Sequence, residues 1–448
     1  MSRTAADSDL RARVRAERRG LWLRWGLLGA ILLGLLSIFS GGLFLYAAIV
    51  VGLVLGLSTL LTTLSLRQLE VGRKLSATEI ARGDRVEVWL IVHNRKPLPA
   101  SALLWRDQIE PGLDIEGPTC AYASLAADEK RQLVYHLQSR RRGLFRIGPA
   151  VVETSGPFGL IRRFLLDRQA RFITVLPRSV GLGAGWPLGH RPIHQVPRRR
   201  SLFEDPSRFQ GIRDYQPGDS LRRVHWRATA RSGKLQVKLF EPAVLQGVLL
   251  AVEMNESLWR SLGPTDPESA DSTEELAVTT AASVAEFVLA GGQTVGLLSN
   301  GADAAERYPD DWSGETFRRL EDVLSATETR RKISGFRPLE ANPGRGRWQL
   351  ERLMKMLARL VPAPGIELPE LLVAELPRLP RSLVLMIVTP RVDAALAATV
   401  ASIERSGIEV AVVWVGGTAD DATAALPRTP VYAVRDEGDL EALGGQRL

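Results

Sequence analysis

Residues 382–389 read SLVLMIVT, the clearest buried strand of this 448-residue chain. A short, continuous apolar run is typical of a strand covered on both faces of a parallel sheet. Similar runs occur at 248–252, 294–298, 409–415 and 431–434, and helical patterns lie between them at 273–290, 313–325, 347–360 and 391–406. Strands that alternate with helices predict an α/β domain over 243–448, with a mostly parallel, Rossmann-type sheet.

Ligands of such sheets bind outside the C-terminal ends of the strands. The loops after Val252 and Thr389 are therefore the places where a site is expected. The sequence has no GxGxxG after the first strand and no GxxxxGK[ST], so it does not indicate nucleotide binding by those motifs.

The stretch before this domain, 209–242, reads FQGIRDYQPGDSLRRVHWRATARSGKLQVKLFEP. Pro217-Gly218 fits the centre of a type II turn, and Asp219 or Ser220 can cap a helix that runs to about Arg231, with Gly233 after it. Basic side chains recur at steps of four on that helix, at Arg223, Arg227 and Arg231, and form one ridge. Residues 198–238 contain eleven Lys and Arg against four Asp and Glu, so the segment is locally basic.

Residues 66–176 have an apolar period of two, which predicts a β-sandwich-like domain of short strands. Within 84–94, one face carries Val86, Val88, Leu90 and Val92. The basic run 140–142 is interpreted as a solvated strand end. The Pro- and Gly-rich residues 177–208 have no periodicity and predict a linker.

Two apolar runs, 21–39 and 43–64, each approach the roughly 20 residues that cross a membrane as a helix. They predict a transmembrane helical hairpin over 21–65, joined at Ser40-Gly41-Gly42. Residues 1–20 hold six arginines, and Arg67, Arg73 and Lys74 follow the second run. The positive-inside rule then predicts a multi-pass protein of the cytoplasmic (inner) membrane, with 1–20 and 66–448 in the cytoplasm. A cleaved signal peptide is the alternative, which the second apolar run disfavours.

The net charge is +8, from 58 Lys and Arg against 50 Asp and Glu, which favours anionic surfaces without specifying one. The single cysteine, Cys120, excludes an intramolecular disulfide and a CxxC site. The five histidines do not fall at metal-ligand spacing.

The pattern of 211–235 resembles the signature of the bacterial domain-of-unknown-function-58 family. The matching residues are Gly211, Arg213, Tyr215, Gly218, Asp219, Arg222, Trp226, Ala230, Arg231 and Lys234. The RRG…GP…PFGL residues of 141–160 and the order of segments also fit the family layout. The resemblance implies a C-terminal von Willebrand factor A-like domain and, as partners, a MoxR-type AAA+ ATPase and a transglutaminase-like membrane protein.

A von Willebrand A-type metal site needs D-x-S-x-S after the first strand, to supply oxygens to a hard cation. This chain reads VEMNES at 252–257, with Glu253, Asn255 and Ser257 at those places. Thr279 or Thr280 and Asp393 are candidates for later ligands by position alone. A degenerate protein-contact surface is favoured over a Mg²⁺ or Mn²⁺ site, and no cofactor is predicted.

Three functional classes follow. The favoured one is a non-enzymatic, membrane-anchored adaptor, in which the signature residues listed above, together with Arg223, either dock a partner or brace the fold. The second is binding of anionic lipid or, less favoured, nucleic acid through the arginines. The third is a hydrolase that uses Asp214, Asp219 and His225, for which no nucleophile motif is present.

Overall fold

The computed structural model describes residues 28–29, 31–32, 35, 43–155, 159, 161–167, 169–182, 204–216, 224–242, 247–262, 272–308, 315–317, 337–379, 383–417, 426–427 and 429–442. Helical residues at 28–29, 31–32 and 35 precede an apolar helix, α1 (Leu43–Leu66). Within the described residues, Leu45–Leu66 is the one helix that is long and apolar enough to cross a membrane.

The region after α1 is built from ten strands. They are β1 (Leu69–Leu75), β2 (Glu79–Ile80), β3 (Arg85–Asn94), β4 (Ala100–Ile109), β5 (Asp114–Glu116), β6 (Cys120–Leu125), β7 (Lys130–Gln138), β8 (Gly143–Thr154), β9 (Arg163–Asp167) and β10 (Arg171–Val175). One sheet has the order β1-β3-β7-β5, and the other contains β9, β8, β10 and β2, with β4 paired to β8 and β6 paired to β4. The two sheets share one apolar core, and we call this body the β module.

Alternation sets which side chains enter this core. In β3, Val86, Val88, Leu90 and Val92 are fully buried while the intervening residues are not, as the sequence predicts. A buried polar cluster lies in the same body: the Arg73 guanidinium and the Tyr135 hydroxyl both donate to the Asp107 carboxylate. The cluster therefore satisfies a charge that burial would otherwise destabilise.

A two-stranded hairpin follows, formed by β11 (Glu204–Asp214) and β12 (Gln236–Pro242), with a short helix α2 (Trp226–Ser232) between them. The remaining strands are β13 (Gly247–Val252), β14 (Thr294–Ser299), β15 (Ala302–Asp303), β16 (Glu315–Phe317), β17 (Leu339–Gly344), β18 (Leu360–Val361), β19 (Val384–Thr389), β20 (Glu409–Val415) and β21 (Val431–Val434). The helices are α3 (Glu256–Ser261), α4 (Thr273–Ala290), α5 (Gly346–Arg359), α6 (Leu368–Glu375), α7 (Ala394–Arg405) and α8 (Glu437–Ala442), and a 3-10 turn spans Ala304–Arg307.

The C-terminal sheet has the order β17-β14-β13-β19-β20-β21. Neighbours from β14 to β21 run parallel, whereas β17 runs antiparallel to β14. One apolar core covers one face with α4 and α5, and a second covers the other face with α6 and α7. We call this body the C-terminal domain.

The predicted fold class is corrected in two respects. The described residues contain one candidate spanning helix and not a two-helix hairpin; most of the first run, 21–39, lies outside those residues. The C-terminal sheet is mixed and not the predicted Rossmann-type sheet, because the half-exposed β17 (LEANPG) closes one edge of the parallel strands β14 to β21 in the antiparallel direction. Apolar length and alternation predict that elements exist but not how they pair.

The two bodies are also less separate than the sequence suggests. Strand β16 belongs to the C-terminal half of the chain, yet it pairs antiparallel with β9 at the edge of the β module. The interpretation of 140–142 as a solvated strand end is wrong for Arg142, whose side chain is buried between the bodies. Arg142 donates to Glu275 and Glu274 at the start of α4 and to the backbone carbonyls of Leu357 and Leu360. A basic triplet gives no sequence signal for a partner more than a hundred residues away.

Candidate functional site

The hairpin formed by β11, α2 and β12 carries the signature residues, and we call it the signature hairpin. A few contacts within it hold its shape. Val224 bridges Val237, and both side chains are buried. The backbone amide of Tyr215 donates to the Leu235 carbonyl at 2.9 Å, and that of His225 donates to Gln236 at 2.7 Å. These bonds fix the ends of β11 and β12 and the turn into α2.

Helix α2 begins later than predicted. Its N-cap is His225, whose Nδ1 accepts from the Ala228 amide at 3.1 Å, and not Asp219 or Ser220. Val224 is held in a β-bridge to Val237, so the helix starts only after it, at Trp226. It ends at Gly233, in the left-handed region at φ 69°, as predicted.

The side chains that α2 presents are outside these contacts. Trp226 is 69% exposed, and the helix buries none of its residues. Arg227, Arg231 and Lys234 are exposed too, and no ion pair involves them in the part of the chain that the structure describes. Together they form a basic surface around one aromatic ring. Such a surface can pair with carboxylates or phosphates while the ring packs on the partner.

The remaining signature residues divide into two groups. Gly211, Arg213 and Tyr215 lie on or just after β11 and are half-buried, with the Arg213 guanidinium donating to the Asp214 carbonyl at 3.0 Å. Gly218, Asp219, Arg222 and Arg223 lie outside the described residues. Ile212 and Leu235 of the same hairpin are also exposed, and the sequence analysis did not identify them as candidate site residues. The alternation of β11 is the signal that could have identified Ile212.

The hydrolase residues have other partners. His225 caps α2, and the Asp214 carboxylate accepts from the Gln236 side chain. Asp219 lies outside the described residues. The hairpin therefore uses two of the three predicted groups to hold its own shape.

The loop after β13 brings Glu253, Asn255 and Ser257 together. Oε1 of Glu253 accepts from the Asn255 amide at 2.9 Å and from Asn300 Nδ2 at 2.6 Å. Oε2 accepts from the Leu368 amide at the start of α6, at 3.3 Å. Burial raises the pKa of Glu253, which these hydrogen bonds only partly offset.

The side chains of Asn255 and Ser257 also form hydrogen bonds within the protein. Oδ1 of the Asn255 side chain accepts from the Ser257 amide and hydroxyl at 2.9 and 2.6 Å, and it caps α3. Glu253 and Asn255 line one small pocket with Thr389, Arg391 and Asp393. Within the described residues, no group of three or more His, Cys, Asp or Glu side chains is arranged to hold a metal ion. The oxygens of this loop brace three chain segments against one another.

The candidates for later ligands separate. Asp393 lines the pocket, caps α7 through the Leu396 amide at 2.9 Å and pairs with Arg391 at 2.9 Å. Thr279 and Thr280 are buried within α4, where the Thr280 hydroxyl donates to the Leu276 carbonyl. Position in the sequence thus brought one of the three to the predicted place.

Comparison with known families now places the central segment. Residues 211–359 match the family model described as protein of unknown function DUF58. The match covers about a third of the chain. It includes the strands of the signature hairpin from Gly211 onward, and then β13 through α5.

The chain is also similar to the uncharacterized protein YeaD of Bacillus subtilis (strain 168), 27% identical over 259 residues. The match covers 54% of this chain and 59% of YeaD, so it spans about three-fifths of the relative's length.

Solved structures resemble only a part of the chain. The CARDB domain of PF1109 from Pyrococcus furiosus is 15% identical, with 24% of this chain and 94% of that chain covered and a TM-score of 0.18. A FixG-related protein from Vibrio parahaemolyticus is 7% identical, with 25% and 98% covered and a TM-score of 0.18. Similarity at this level carries no argument about function.

Proposed function

We propose that the protein is a non-enzymatic, membrane-anchored adaptor whose signature hairpin docks an acidic partner, a MoxR-type AAA+ ATPase. The observation that carries this proposal is the exposure of Trp226 among Arg227, Arg231 and Lys234. An exposed aromatic ring among basic side chains offers a partner both apolar contact area and positive charge. Aromatic and arginine side chains are also the residues that dominate protein interfaces.

The alternative within the adaptor class was a structural brace, with Trp226 as a buried anchor. The hairpin is held instead by the Val224–Val237 bridge and by backbone hydrogen bonds, and Trp226 belongs to none of the three apolar cores. The contacts that fold the hairpin and the side chains proposed to dock are therefore different residues.

The proposed anchor is α1. It contains no charged residue, and most of its described leucines are exposed, which water would not favour. We propose the cytoplasmic membrane, with the β module and C-terminal domain in the cytoplasm, since Arg67 and Arg95 lie exposed beside the end of α1. Arg73, counted in the sequence as a topology signal, is buried on Asp107 and adds nothing to this charge.

Affinity capture of the tagged, detergent-extracted protein tests the proposal, with mass spectrometry of what co-purifies. The test variant is Trp226→Ala, and the matched control is Trp348→Ala, because Trp348 is 70% exposed but lies on α5. We expect an AAA+ ATPase with the wild type and the control, and at least tenfold less with Trp226→Ala. Equal recovery with both variants would contradict docking by the hairpin.

If neither the wild type nor the control retains an ATPase, the adaptor proposal fails. The next measurement is then binding of the protein, in detergent-free nanodiscs, to phosphatidylglycerol vesicles. Salt-dependent binding that Trp226→Ala and Arg231→Ala weaken would show that this surface binds an anionic lipid.

A further inference from the structure

The C-terminal end of α1 packs against the β module. Ser58 and Thr62 are fully buried and Ser65 nearly so, at intervals that place them on one side of the helix. Leu57, Leu60 and Leu61, on the same two turns, are exposed. These turns therefore have protein on one side and surroundings suited to leucine on the other.

Helix length decides what those surroundings are, if α1 crosses the membrane as proposed above. The part of α1 that lies before its contact with the β module, 43–57, is about 22 Å long at 1.5 Å per residue. The hydrocarbon core is about 30 Å thick, so this part is too short to span it. The turns with Leu60 and Leu61 must therefore also lie inside the bilayer. These are the same turns that pack against the β module.

The loop 95–99, Arg-Lys-Pro-Leu-Pro, lies beside the end of the helix. The Lys96 ammonium donates to the Leu64 and Ser65 carbonyls at 2.7 and 2.5 Å, and the Arg95 amide donates to the Gln68 carbonyl at 3.1 Å. Leu98, two residues on, is 56% exposed between the exposed Pro97 and Pro99. An apolar tip is thus fixed at the level where the helix leaves the hydrocarbon.

We propose that loop 95–99 is a membrane-contact loop, with Leu98 inserted among the lipid headgroups and Arg95, which pairs with Glu70 at 2.8 Å, at the level of the phosphates. The proposal rests on α1 being the membrane anchor of the proposed function. The occupant is the bilayer that surrounds α1, because the loop is joined to the helix end by two hydrogen bonds. The opposite end of the β module is then held away from the bilayer, since β3 extends about 30 Å from Asn94 to Arg85.

The test uses the full chain with Cys120→Ser and one new cysteine, labelled with the fluorophore NBD. Leu98→Cys reports the loop, and Leu53→Cys reports the middle of α1, where Leu53 is exposed. Ile115→Cys is the matched control: Ile115 is exposed on β5, opposite Leu137, at the far end of the β module. Each labelled protein must melt like the wild type before it is placed in phosphatidylcholine/phosphatidylglycerol vesicles that contain spin-labelled lipid.

We expect a shallow spin label to quench position 98 at least twofold more than position 115, and a deep label to quench position 53 most. Quenching at 53 with equal, low quenching at 98 and 115 would overturn the membrane-contact loop and leave the anchor standing. Absence of quenching at 53 would overturn the anchor itself and the loop with it. The two failures are therefore distinguished by the probe on α1.

Discussion

Arg142 of the β module and Glu275 of α4 form an ion pair that is almost completely buried between the two bodies of this protein. The guanidinium also donates to two backbone carbonyls, of Leu357 at 3.1 Å and Leu360 at 3.0 Å. The Arg142 side chain thus joins the start of β8 to α4, α5 and β18. Further contacts cross the same boundary, including Lys355 to Glu79 at 2.8 Å and the Tyr308 hydroxyl to Glu110 at 2.5 Å.

Replacement of Arg142 by Met is expected to destabilise the protein by about 3 kcal/mol, because the buried Glu275 carboxylate then keeps only its longer contact with Arg141, at 3.7 Å. Denaturant unfolding in detergent micelles measures the change. The control is Arg140→Met: Arg140 has an 81% exposed side chain and pairs with Asp114 on the surface, so we expect a change within about 0.5 kcal/mol. Similar losses for both variants would show that the interface does not depend on the buried pair.

The Tyr135→Phe variant is expected to lose about 1.5–3 kcal/mol, because the Tyr135 hydroxyl donates to the charged Asp107 carboxylate inside the β module, at 2.7 Å. Burial, followed by the charge of Asp107, raises the pKa of Tyr135, so the hydroxyl stays protonated and keeps donating. Tyr122→Phe, on the surface of β6, is the control with no expected effect. A neutral Tyr135→Phe would mean that Arg73 alone satisfies Asp107.

Gly148 allows the close approach of Arg73. It has φ +103°, and an added Cβ would lie 2.7 Å from the Arg73 guanidinium. Gly83 has φ +90° with open space around it, so Gly83→Ala measures backbone strain alone, expected at about 1–2 kcal/mol. Gly148→Ala should cost at least about 1 kcal/mol more, since it also displaces the guanidinium from Asp107. Thermal unfolding of the two variants compares them, and equal losses would exclude the clash.

Lys96 gives the stability a pH dependence. Burial lowers the pKa of Lys96 from 10.5 to about 8 in the folded protein. Between about pH 8 and 10.5 the unfolded chain therefore binds more protons at this residue than the folded one, and the free energy of unfolding contributed by Lys96 rises with pH. Below about pH 8 both states are protonated and the dependence ends.

The measurement for Lys96 is the difference in unfolding free energy between the wild type and Lys96→Met, at pH values across that window. We expect the wild type to gain relative to the variant as the pH rises from about 8 to about 10.5. Lys130→Met removes an exposed lysine of β7 and should give a flat difference. A flat difference for Lys96→Met as well would show that the ammonium is not desolvated at the helix end.

The elements with strong periodicity were predictable. The burial alternation of β3, the fully buried β13 and β19, and the apolar α1 all follow from side-chain pattern, because hydrophobic burial acts on every second residue of a half-buried strand and on whole runs of a covered one. The glycine end of α2 was also predictable, since Gly233 has the freedom that a left-handed cap needs. Its start was not, because a non-local bridge between Val224 and Val237 displaced the local capping signal of Asp219.

By itself the sequence determined where chain segments are apolar, alternating or basic, and its signature residues carried the resemblance to the family whose model matches 211–359. Only the tertiary structure decided the strand directions of the mixed sheet, the burial of Arg142 and the exposure of Trp226. The physical reason is the same in all three cases. Pattern records the average environment of a residue along its own element, whereas pairing, burial of a charge and exposure of a ring depend on which distant segment packs against it.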